Sequence, residues 1–177
     1  MKEAQLVDTG AGLRPEGEGW FVLSARDAHW ERNEEFGRYT RWEGDGEARF
    51  KEIGINISVL EPGQPMCMYH GEDAQEDFLV LAGEGMLIIE GEERPLKAWD
   101  FVHCPAWAKH VIVATGPGRL VVLAVGARND RPGLLYPRDE VALKHNAGTE
   151  RETPSGDEAY AGTSALVPVR YLEGDLP

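Results

Sequence analysis

The chain alternates between apolar and small or polar residues for one stretch of uncommon clarity. In KEIGINISVLEPG, Ile53, Ile55, Ile57 and Val59 alternate with Gly54, Asn56, Ser58 and Leu60. A period of two is the mark of a β-strand, because successive side chains leave opposite faces of the backbone. Glu61-Pro62-Gly63 closes the run with a tight turn. Further strands are expected at Asp77–Leu81, Met86–Glu90, Phe101–Cys104, His110–Ala114 and Leu120–Val125. Turn signals separate them: Gly83-Glu84-Gly85, Glu90-Gly91-Glu92-Glu93, Pro105–Ala108 and Thr115–Gly118. Short strands at this spacing predict an all-β antiparallel sandwich or barrel, and no stretch is long enough for a βαβ crossover.

The flanks are less regular. Residues 1–19 read as an arm with little structure of its own, GWFVLSA (Gly19–Ala25) as a short strand, and Arg26–Glu47 as loops with one short helical turn. One helix is expected near Asp139–His145. These readings divide the chain into an N-terminal extension packing on the barrel (1–50), a barrel core (51–126) and a C-terminal extension (127–177). A tail that long wraps its own domain or a neighbouring subunit, so a homodimer is expected.

Charge narrows the function. With 18 basic against 31 acidic residues the net charge is −13, and no cluster of Lys and Arg offers a footprint for nucleic acid or an anionic membrane. Cys67 and Cys104, the two cysteines, supply neither a disulfide scaffold nor a CxxC knuckle and read as buried reduced thiols. The first twenty residues hold no apolar h-region and no apolar run is long enough to span a bilayer, so a cytoplasmic location is expected.

Three of the five histidines, His70, His103 and His110, fall among the expected strands. In YHGEDAQEDFLVLAGEG (69–85), His70 precedes Glu72, Asp73, Glu76 and Asp77. Alone, His70 reads as a turn histidine and Glu76 as a solvated acid. The run after Asp77 is apolar on both faces, however, so Glu76 points into a covered space, where a carboxylate without a cation is costly. If Gly71–Gln75 turns between adjacent strands, His70 and Glu76 meet side by side, and His110 opens another strand. Two imidazoles and one carboxylate form the triad associated with non-haem Fe(II), and Mn, Ni or Zn suit the same ligands. Glu72 is either a fourth ligand or a solvent-facing acid.

On these residues the chain resembles the cupins. His70-Gly-Glu72, then Glu76, then Gly83 is similar to the first cupin motif, and Pro105-Ala-Trp107-Ala-Lys-His110 to the second. The resemblance spans roughly Ile53–Val125 and implies a jelly roll or double-stranded β-helix with a divalent transition metal on His70, Glu76 and His110. Four positions depart from the pattern: Glu72 stands where most cupins have a second histidine, Gly63 sits one residue early, and Trp99 and Trp107 replace glycines. The His-x-Glu-x-x-x-Glu arrangement is also similar to 3-hydroxyanthranilate-type dioxygenases, and on that likeness Glu72 supports a ligand from behind.

The expected function is that of a metal-dependent, oxygenase-like enzyme acting on a small organic molecule. The alternatives are an isomerase or decarboxylase on the same ligands, or a non-catalytic module that binds or senses a small ligand. His103 reads as a hydrogen-bonded core histidine, Cys104 as a packed thiol, and Trp99 and Trp107 as pocket rim or core. Arg26, Trp30 and Trp42 are candidates for closing the barrel mouth.

Overall fold

A computed structural model describes residues 1–129 and 133–177; residues 130–132 of the C-terminal extension lie outside the described residues. The described residues form fourteen strands in this order: β1 (Gln5–Asp8), β2 (Leu13–Glu16), β3 (Trp30–Asn33), β4 (Gly37–Arg41), β5 (Ile53–Leu60), β6 (Gly71–Glu72), β7 (Glu76–Ala82), β8 (Glu84–Ile89), β9 (Glu92–Lys97), β10 (Phe101–Cys104), β11 (His110–Ala114), β12 (Leu120–Ala127), β13 (Leu134–Leu135) and β14 (Val167–Val169). Two short helices, α1 (Glu140–Lys144) and α2 (Gly156–Ala159), lie in the C-terminal extension. Every pairing between named strands is antiparallel.

A seven-stranded sheet, β10-β7-β12-β5-β4-β3-β14, faces a three-stranded sheet, β11-β8-β9. Leu60, Phe78, Val80, Val102 and Val122 from the first pack against Leu87 and Ile112 from the second, forming the core between the sheets. Both terminal extensions contribute strands or cover. β3, β4 and β14 extend the large sheet. Ala142 of α1 and Ala147 cover the outside of the small one, over Ile88, Val111 and Val113.

Strand β5 is reversed with respect to the simplest expectation for a barrel. Its more apolar side, carrying Ile57 and Val59, faces outward and is buried under Trp30, Trp42, Val169 and Tyr171 of the extensions. Its other side runs from Leu60 in the inter-sheet core to Ser58, Asn56 and Gly54, which line a cavity. One end of the space between the sheets is therefore packed with hydrocarbon and the other is open and polar.

The flanks differ from expectation. Residues 1–19 contain the β1–β2 hairpin, and Arg26–Glu47 holds β3 and β4 besides the expected helical turn, a 3-10 segment at Gly46–Ala48. Gly19–Ala25 is not a strand; only Trp20 makes a bridge, to Glu3. Its apolar run serves tertiary contacts, with Phe21 stacked on Phe50 and Ala25 against the Trp30 cluster. Strand β9 was hidden by its composition, ERPLK being charged and carrying a proline on an edge.

Candidate metal centre

Three strand ends meet at the open end of the inter-sheet space. His110 is the first residue of β11 and shares its inner face with Ile112 and Ala114. His70 pairs with it in an antiparallel bridge: His70 N–H donates to His110 O at 3.2 Å and His110 N–H to His70 O at 2.8 Å. Opposed residues in such a bridge point their side chains to the same face, and the two ring centroids lie 5.2 Å apart. Glu76, the first residue of β7, comes from the opposite sheet, flanked in register by Cys104 and Gly126.

This differs from the side-by-side hairpin expected for His70 and Glu76. Gly71–Glu72 pairs with β13, so the connection crosses between sheets and the side chains meet across the interior. Distance along the chain permits either route; the strand pairing decides it.

One donor atom from each of His70, Glu76 and His110 lies within 4.8 Å of the other two. The Nε2 atoms of His70 and His110 stand 3.5 and 3.2 Å from Glu76 Oε2. Each Nδ1 lies 2.8 Å from a backbone carbonyl two residues upstream, that of Met68 or Ala108. A carbonyl only accepts, so each Nδ1 carries a proton, and in the neutral ring Nε2 is left as a bare lone pair. His110 Nε2 and Glu76 Oε2 are buried without an aligned hydrogen bond. Buried polar groups are seldom left so, and the donor set of two nitrogens and an oxygen fits a divalent transition ion.

The electrostatics point the same way. Burial raises the carboxyl of Glu76, but the His110 and His70 imidazoles beside it outweigh burial and bring its pKa down to about 2. Burial lowers the His110 imidazole, yet Cys104 and Glu76 raise it to about 10. For His70, burial is likewise outweighed by Cys67 and Glu76, and its pKa stands well above the ordinary value. A carboxylate this committed to its charge demands positive charge opposite it, which protons or a metal ion can supply.

The other residues singled out from the sequence fall as follows. Glu72 lines the cavity, its carboxyl raised by burial and by the Glu76 charge, but it is outside the three-atom cluster. His103 is neither pocket nor core: it lies on the outer face of β10, 52% exposed, bonded to Asp77 at 2.7 Å. Cys104 is packed in the core, whereas Cys67 is half-buried, with Sγ 3.7 Å from His70 Nδ1. Trp99 and Trp107 are exposed and line no part of the cavity. Trp30 and Trp42 pack outside β5, and Arg26 lies over the Tyr171 ring, so none of the three closes the mouth.

Sequence reasoning missed Tyr136 and Tyr160, which come from the weakly patterned C-terminal extension. Tyr136 lies against the His70 ring, with centroids 5.8 Å apart. Tyr160 Oη accepts a hydrogen bond from the N–H of Met68, the residue whose carbonyl orients His70. The cavity beyond the cluster measures about 990 Å³, and Tyr39, Asn56, Ser58, Cys67 and Arg49 are among its lining residues.

The cupin-domain family model matches residues 56–126. A polyketide cyclase from Streptomyces resistomycificus has the same fold, with a TM-score of 0.55 over 64% of this chain and 84% of that one at 13% identity. Residues 56–126 thus form a cupin domain. It is also similar to a 5-nitrosalicylic acid 1,2-dioxygenase from a Bradyrhizobium species, 28% identical over 115 residues, 61% of this chain and 49% of that protein. The chain thus spans about half the length of that relative. A sugar phosphate isomerase from Silicibacter pomeroyi gives a TM-score of 0.49 at 22% identity, covering 58% of this chain and 72% of that one. Among the described residues no helix is long and apolar enough to cross a membrane.

Proposed function

We propose that this cupin is a metal-dependent enzyme with oxygenase-like chemistry, acting on a small organic molecule held in the cavity beside His70, Glu76 and His110. The observation that carries the reading is the convergence of three donor atoms, two of them buried and unpartnered, at the edge of a cavity large enough for a small organic substrate. The similarity to a dioxygenase supports oxygen chemistry over isomerisation. A bound divalent ion supplies Lewis acidity and, if it is iron, electrons for reaction with dioxygen.

The chain's own residues do the rest. Backbone carbonyls of Met68 and Ala108 hold the imidazole tautomers, so both Nε2 atoms stay directed at the same point. Asn56 and Ser58 offer hydrogen bonds that orient a polar substrate. Glu72, whose carboxyl is raised by burial and by Glu76, takes or returns a proton at a carboxyl oxygen facing the cavity. A homodimer in the cytoplasm is the setting we infer for it.

The test is oxygen uptake by anaerobically Fe(II)-loaded protein against a panel of small hydroxylated aromatics. Uptake that needs both iron and a panel compound, and that disappears in His110→Ala, is the expected result. Loaded protein that binds such compounds without consuming oxygen contradicts it and favours a sensing or capture module.

A further inference from the structure

The mouth of the cavity is built by a segment whose position is fixed and which presents two cationic side chains, Arg49 and Lys51, to the cavity of an acidic molecule. Glu43, 4% exposed, forms a two-pronged ion pair with Arg128 at the end of β12, with N–O distances of 2.6 and 2.7 Å. Glu43 also accepts from Phe50 N–H at 3.0 Å, and Arg128 donates to the Phe50 carbonyl. Residues 43–50 are thereby clamped across the open end, and this clamp carries Arg49 and Lys51 into the cavity lining.

These cations differ in commitment. Arg128 is neutralised by Glu43, and Lys51 makes a loose, mostly exposed contact with Glu18 at 3.8 Å. Arg49 forms no ion pair among the described residues, although the chain carries 31 acidic side chains. On the wall between mouth and cluster, Tyr39, Ser58 and Asn56 are polar, and Gly54 and Gly126 leave space. An uncommitted guanidinium at the rim of a concave surface, with Lys51 beside it in the lining, attracts anions and pairs carboxylates with good geometry.

We propose that the cavity takes a small organic anion bearing hydroxyl or carbonyl oxygens. Its carboxylate is held at the mouth by Arg49 with Lys51, and its oxygen-bearing end is directed past Asn56 and Ser58 to the His70–Glu76–His110 cluster. The inference rests on the reading of this cavity as the active site.

Redox-silent Zn(II)-loaded protein is titrated calorimetrically with 3,4-dihydroxybenzoate and with its uncharged amide, a pair that differs in charge and little in shape. The acid is expected to bind about tenfold more tightly than the amide at low ionic strength, a preference that shrinks with added salt. In Arg49→Gln it is expected to fall below about threefold, with zinc content unchanged. Equal affinities in the wild type, no binding of either compound, or a preference that survives in the Arg49→Gln/Lys51→Gln double variant overturns the inference. Protein that holds no zinc yet still prefers the acid contradicts the metal reading and leaves the anion site standing.

Discussion

Trp99 and Trp107 occupy positions where the cupin pattern has glycines, and both have left-handed backbones, with φ of 75° and 69°. For a residue with a side chain this conformation costs about 1 kcal/mol or more. Trp99 is 74% exposed and has little packing to lose, so Trp99→Gly is expected to stabilise the protein by about 0.5 kcal/mol, read from the urea midpoint at constant m-value. Trp107→Gly is expected to gain less, because the Trp107 ring lies against Gly133 so closely that a Cβ there would sit 2.6 Å from it. Charge at Glu43 gives a second prediction. Burial raises its carboxyl, but Arg128 and Phe50 N–H outweigh burial and leave the pKa lowered. A depressed carboxylate contributes stability above its unfolded pKa and loses it as pH falls through the folded value. Glu43→Gln should therefore lose roughly 3 kcal/mol at neutral pH. Its deficit relative to wild type should shrink on acidification below about pH 4.5; a deficit independent of pH would contradict the charge account.

At the scale of elements, β5 separates two uses of one strand. Ile57 is buried outside the barrel by the extensions, and Ser58 faces the cavity. Ile57→Ala is expected to cost about 2–4 kcal/mol in chemical unfolding. Ser58→Val should leave stability within about 1 kcal/mol while weakening binding of polar cavity ligands; the reverse ranking would mean the faces are misassigned. The alternation of β5 was legible in the sequence, but its orientation was not, because the residues that cover Ile57 come from β3, β14 and the C-terminal tail. The same holds for the site. Spacing within each motif marked His70, Glu76 and His110, since each stands at or next to a strand start with a readable apolar run. Tyr160, Arg49 and Arg128 carry no local signal, because their places depend on long-range pairing that a residue's neighbours do not encode. Gly19–Ala25 shows the converse, an apolar run with strand composition but no ladder to join.

At the scale of the molecule, the extensions and the core perform different tasks. The tail is fixed by β14 pairing with β3 and by Asp175, whose Oδ1 accepts from Arg38 at 2.6 Å and Arg119 at 2.9 Å. A chain ending at residue 165 keeps Tyr136 and Tyr160 but loses β14, Tyr171 and Asp175. It is expected to lose about 3 kcal/mol or more of stability yet retain its metal, since nothing removed touches the cluster. The central claim is that His70, Glu76 and His110 share one cation. Elemental analysis of protein purified without chelators or a His-tag, set against His70→Ala, Glu76→Ala and His110→Ala, addresses it directly. The expected result is about one equivalent of a divalent transition metal in the parent and under about a tenth in each variant. Equal metal content in parent and variants, or none in the parent after loading, would contradict it.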